Sequence, residues 1–81
     1  MKIVIKYFGM IEEAIKKSEE TLSLNSEKNI YLNDIHNELK ENYPVLKKMN
    51  YKIAVNLQIT EENTIIENNT EIVLLPPFAG G

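Results

Sequence analysis

Cysteine is absent from this 81-residue chain and so is arginine, all nine of its basic residues being lysine. Without a thiol there is no disulfide, no thiolate metal site and no cysteine nucleophile. Without a guanidinium there is no bidentate fork for phosphate or guanine, so the pairs Lys16-Lys17 and Lys47-Lys48 read as solvated faces. Nucleic acid is not an expected partner, and a net charge of −3 suits a mildly acidic surface that docks on basic proteins. Histidine occurs once, at His36, too little for a zinc set and placed at the edge of a helix face four residues after Leu32. No serine sits in a nucleophile elbow, no glycine-rich phosphate loop exists, and Glu61, Glu62, Glu67 and Glu71 cluster around turns as solvated carboxylates do. Long hydrophobic runs are missing as well. The opening apolar stretch is too short for a secretory signal and no later one approaches membrane-spanning length, so the expectation is a cytoplasmic protein with no membrane contact. Self-contained catalysis is not expected.

What is present is an ordinary globular composition, 43% hydrophobic and 26% charged, which argues for one folded domain of two layers rather than disorder. Residues 2–8 are rich in β-branched and aromatic types, and the unbroken Ile3-Val4-Ile5 reads as a strand covered on both faces or sitting centrally in a sheet. After Gly9, the spacing of Met10, Ile11, Ala14 and Ile15 predicts a short amphipathic helix. Residues 21–25 alternate as a second strand that ends in the turn-like Asn25-Ser26. Leu32, Ile35 and Leu39 mark one face of a main helix over about 31–42, stopped before Pro44, with Tyr43, Val45 and Leu46 as core anchors in the return loop.

Residues 51–59 alternate as a third strand with Ile53, Val55, Leu57 and Ile59 on one side. A polar turn at 61–63, a short extended piece at 64–66, a tight reversal at Asn68-Asn69 and a last strand over 71–75 complete the pattern. The first and last strands are the most continuously apolar. Placing them side by side and parallel at the sheet centre, under one helix, buries the most surface. The expected fold is therefore α+β of the β-grasp (ubiquitin-like) type, a mixed sheet of four to five strands with one main helix and a short first helix. A ferredoxin-like split fold is disfavoured because only one helix is long enough to cover a sheet.

The remaining feature is the end, Pro76-Pro77-Phe78-Ala79-Gly80-Gly81. Prolines cannot continue a ladder, so the expectation is a domain over 1–75 and a projecting tail over 76–81. Gly80 and Gly81 carry no Cβ, which lets the backbone thread a narrow slot and leaves the terminal carboxylate open to attack. Phe78 reads as an anchor that seats the tail in a partner's groove or as a hydrophobe folded back on the sheet edge. A carboxylate is a poor acyl donor, so a tail of this kind needs an enzyme that couples it to a nucleotide and passes it to a sulfur or amine nucleophile. Such a protein is a carrier rather than an enzyme. The residues leave open whether it carries sulfur or is joined to protein lysines.

Ala54-Val55-Asn56, Phe8-Gly9, Glu71 after the Asn68-Asn69 turn and above all the Pro76–Gly81 ending resemble the small, sulfur-carrying subunit of molybdopterin synthase, within the MoaD/ThiS sulfur-carrier family. The resemblance spans nearly the whole chain. It implies that Gly81 is adenylated at the expense of ATP by an activating enzyme and converted to a thiocarboxylate. The tail residues Pro76, Pro77, Phe78, Ala79 and Gly80 then insert into the large synthase subunit, where sulfur passes to a pyranopterin precursor in molybdenum cofactor biosynthesis. It also implies that Phe8, Ile59 and Leu75 contact the large subunit or the activating enzyme, and that the chain itself binds no cofactor or metal. Other acceptors remain open: a thiazole precursor of thiamine, a tRNA base, an amino-acid precursor, or protein lysines in a ubiquitin-like role.

Overall fold

Branched side chains pack well on a pleated surface, and Ile3-Val4-Ile5 seeds β1 (Lys2–Tyr7). The computed structural model describes residues 1–25 and 27–77. In it β1 is followed by α1 (Gly9–Ile15), β2 (Glu19–Ser23), β3 (Ile30–Tyr31) and α2 (Leu32–Asn42). A 3₁₀ turn (Pro44–Lys48), β4 (Lys52–Val55), β5 (Gln58–Ile59), β6 (Ile65–Ile66) and β7 (Thr70–Leu75) complete the order. Five strands form one sheet, β2-β1-β7-β4-β5, and β3 pairs with β6 as a separate ribbon. β1 and β7 are parallel, from Ile3 opposite Thr70 to Tyr7 opposite Leu74, and β2 and β4 flank them antiparallel. This is the expected β-grasp topology, with the last strand in the middle.

The core lies between the sheet and its helices. Ile3, Ile5 and Tyr7 of β1 and Ile72 and Leu74 of β7 join Ile11 and Ile15 of α1, Leu32, Ile35 and Leu39 of α2, and Leu46 in one buried cluster. Each aliphatic side chain withdrawn from water in this way contributes about 1.5–3 kcal/mol. Asp34 caps α2 by accepting the Tyr31 N–H at 2.8 Å. The helix stops at Tyr43, which leaves the helical region (φ −130°, ψ 81°) because the ring of Pro44 disfavours helical backbone in the residue before it. The reversal before β7 has Asn69 at φ 66°, a left-handed conformation that asparagine tolerates. It is tied to the start of β1: the Lys2 N–H donates to Asn68 Oδ1 at 2.8 Å, and the Asn69 N–H to the Lys2 carbonyl at 2.7 Å.

Four expectations need correction. Residues 51–59 are a hairpin, not one strand: Asn56 (φ 47°) and Leu57 (φ 71°) make a two-residue turn that sets Ala54 opposite Ile59 and Val55 opposite Gln58. A turn of this length puts Ile59 on the face of Ala54, so it does not share a side with Ile53 and Val55. Of the two readings of the Ile3-Val4-Ile5 run, the interior position in the sheet holds and coverage of both faces does not, since Ile3, Ile5 and Tyr7 are buried while Val4 is half-exposed. Val45 is exposed, because the 3₁₀ turn sends successive residues outward in different directions and buries only Leu46. The second strand begins two residues early, at Glu19, and Ser26 of the Asn25-Ser26 turn lies outside the described residues.

Candidate functional site

β7 ends at Leu75, where Pro76 withholds the N–H that another ladder bond would need. The Phe8 N–H donates to the Leu74 carbonyl at 3.2 Å, so the β1–β7 pairing runs to the last residue before the prolines. Gly9 follows at φ 58° and turns the chain from β1 into α1. Pro76 and Pro77 are half-buried, and with Met10, Ile11, Lys48, Met49 and Asn50 they line a mostly apolar groove of about 340 Å³. The root of the tail thus lies against the body, between the start of α1 and the connection into β4. Phe78, Ala79, Gly80 and Gly81, where the sequence places the chemistry and the tail anchor, lie outside the described residues.

On the face of the sheet away from the helices, side-chain alternation collects Val4, Lys6, Glu71, Val73, Leu75, Lys52, Ala54 and Ile59. Phe8 continues the parity of Val4 and Lys6 in extended backbone and is 47% exposed, while Ile59 is 58% exposed and Leu75 half-buried. Phe8, Ile59 and Leu75 therefore share one face, spread over about 15 Å at ordinary strand spacing. Val73 and Ala54, each 5% exposed, form its floor. Lys6 Nζ pairs with Glu71 Oε2 at 2.9 Å across β1 and β7, which raises the Lys6 pKa. Asn56 anchors the neighbouring hairpin to β7, donating its N–H to the Glu71 carbonyl and accepting the Glu71 N–H at Oδ1, both at 2.9 Å.

Beneath α1 lies a polar network that sequence reading missed. Tyr7 OH and Tyr43 OH both donate to Glu20 Oε2, at 2.6 and 2.7 Å, and Lys17 Nζ donates to Tyr43 OH at 3.0 Å. Burial, then the Glu20 hydrogen bond, push the Tyr7 hydroxyl far above its usual range. For Glu20, burial favours the neutral form, but the bonds from Tyr7 and Tyr43 and the charge of Lys17 outweigh it and hold the carboxyl below its ordinary value. His36 is the helix-edge residue its spacing implied, half-buried and hydrogen-bonded to Tyr51 OH at 2.5 Å. Burial lowers its pKa, with a smaller push from Lys40. Among the described residues no cluster of three or more histidines and carboxylates could hold a metal ion, and no helix is long and apolar enough to cross a membrane.

Solved structures share this architecture. SAMP1 from Haloferax volcanii superposes with a TM-score of 0.80 over all of both chains at 15% identity. A Pyrococcus furiosus protein assigned as subunit 1 of molybdopterin converting factor gives 0.81 at 19% identity, over 96% of this chain and 99% of that one. Helicobacter pylori 26695 molybdopterin-converting factor, solved as a complex of subunits 1 and 2, gives 0.72 at 25% identity over all of both chains. The model of the ThiS family matches residues 5–81, a span that runs from β1 through the glycine pair.

Proposed function

Because this chain belongs to the ThiS family, we propose that it is a sulfur carrier of molybdopterin biosynthesis whose covalent site is the Gly81 carboxylate. The observation that carries this reading is the family match extending through Gly81. A carboxylate oxygen of Gly81 attacks the α-phosphate of ATP in an activating enzyme, giving an acyl adenylate and releasing pyrophosphate. Hydrosulfide from a sulfur donor then attacks the acyl carbon and displaces AMP, and the product is a thiocarboxylate in which sulfur has replaced one oxygen. The tail, Pro76 to Gly81, delivers that sulfur inside a larger subunit to a pyranopterin precursor, and the chain returns as the carboxylate.

Phe8, Ile59 and Leu75 supply the docking face. An exposed apolar patch with a buried floor suits partners that must bind, exchange and leave. The chain acts with its partners in the cytoplasm and holds no cofactor of its own, ATP being consumed by the activating enzyme. The complex formed by subunit 1 of the Helicobacter pylori factor supports a large-subunit partner.

Intact mass spectrometry after incubation with ATP, an adenylating enzyme and a sulfur donor tests the chemistry. A gain of about 16 Da is expected, and none in a chain lacking Gly81. No gain in the full chain would overturn the reading. Transfer of the sulfur to a pyranopterin precursor by the large subunit identifies the acceptor. Isopeptide adducts on protein lysines, in place of sulfur transfer, would show the chain to be a modifier instead.

A further inference from the structure

We propose that Gly9 is a positioning residue for the tail: it has no side chain because the ring of Pro76 occupies the space a Cβ would need. A Cβ built at Gly9 falls 2.8 Å from Pro76 Cγ and 3.7 Å from Pro76 Cδ. The nearer distance is well inside van der Waals contact. The obstacle is a closed ring with a fixed φ, not the end of a chain that can swing aside. Any side chain at position 9 therefore displaces the first residue after β7.

On the side away from Gly9 the two prolines border an open groove that Met10, Ile11, Lys48, Met49 and Asn50 also line, so the close approach that fixes the ring is the one to Gly9. The Phe8 N–H bond to the Leu74 carbonyl locks the two strands in register immediately before this contact. Gly9 and Pro76 thereby set the direction in which the chain leaves the rigid end of the sheet at Pro76-Pro77. The requirement has two separable parts, since Gly9 also sits at φ 58°, where only glycine and, at small cost, asparagine are comfortable.

The catalytic side of this inference rests on the carrier reading. A carboxylate presented along the wrong line reaches the adenylation site out of alignment, and misplacement of about 1 Å costs on the order of a hundredfold in rate. Gly9→Asn tolerates the left-handed backbone but carries the offending Cβ, Pro76→Ala removes the ring carbon, and the double variant removes the collision.

Two readouts are needed. In NMR spectra of the free protein, nuclear Overhauser effects from the Pro77 ring to Met10 and Met49 are expected in the native chain, lost in Gly9→Asn and regained in the double variant. In thiocarboxylation assays, kcat/KM falls at least about tenfold in Gly9→Asn, mainly through kcat, and the double variant returns to within about threefold of Pro76→Ala alone. Overhauser effects that persist in Gly9→Asn, or losses that simply add in the double variant, would overturn the proposal. If the native chain accepts no sulfur, the carrier reading fails and the Overhauser arm still decides whether Gly9 sets the tail root.

Discussion

Glu20 shows how one carboxylate joins segments distant in sequence. Its Oε2 accepts from Tyr7 on β1 and Tyr43 at the end of α2, and its Oε1 lies 3.7 Å from Lys17 Nζ. The folded state holds its pKa below the ordinary carboxylate value, so the unfolded chain takes up the proton first as pH falls. The contribution to stability is complete above about pH 4.3 and is lost as pH drops through the lower, folded value. Thermal unfolding between about pH 2.5 and 7 is expected to show a steeper acid loss in the native protein than in Glu20→Gln. Parallel curves would show that Glu20 is not the linked group. At neutral pH, Glu20→Gln should cost about 1–3 kcal/mol, because the buried Tyr7 hydroxyl and the half-buried Tyr43 hydroxyl both lose a charged acceptor. None of this was legible in the sequence. Tyr43 read as a hydrophobic anchor and Glu20 as one charge among many, since their meeting depends on the strand register and on where α2 stops. Gly9 was visible only as a helix opener, because its neighbour Pro76 lies at the far end of the chain.

Among the elements, the β4–β5 hairpin is the one whose form the pattern concealed. Ile53, Val55, Leu57 and Ile59 alternate as an unbroken strand would, and the turn carries Asn-Leu where Asn-Gly would have announced it. Asn56 fits its left-handed position and uses its side chain to pair with β7. Leu57 fits poorly: it sits at φ 71° with 86% of its surface exposed. Replacing it with glycine is expected to raise stability by about 0.5–1 kcal/mol, the relieved strain exceeding the entropy glycine adds to the unfolded chain. Equilibrium denaturation in urea measures this, and a lower midpoint would mean that the tip makes contacts worth more than the strain. The helices were far more legible. Leu32, Ile35 and Leu39 lie three and four residues apart and are all buried, because a helix reports its burial through local spacing alone.

The whole molecule has two unlike faces. Every helix covers one side of the sheet, and the other carries Phe8, Leu75 and Ile59 around the floor of Val73 and Ala54. The pairing of the first and last strands could be read from their apolar runs, but Val4 shows the limit of that reading: an unbroken run did not mean two covered faces. The open face became visible only once the hairpin turned Ile59 onto it. Ile59→Asp is expected to leave the melting temperature within about 4 °C, since surface substitutions rarely move stability by more than about 0.5 kcal/mol. The same change should weaken binding to the large subunit or the activating enzyme by tenfold or more, as a charge facing an apolar contact does. Calorimetric titration of each partner decides it, and unchanged affinity for both would remove Ile59 from the docking face.

The position of β7 also governs how the molecule comes into being. It follows every other element in chain order yet lies at the centre of the sheet, and its partner β1 lies near the opposite end of the sequence. Until β7 arrives, β1 with β2 and β4 with β5 are isolated pairs of strands, which are marginal in water, and the closing contact is about as non-local as the chain allows. Folding therefore waits for the segment that leads directly into the prolines. A chain that has lost residues from Thr70 onward lacks the central strand of the sheet. Under the proposed carrier role it also lacks the end that would be activated, so only finished molecules would compete for activation.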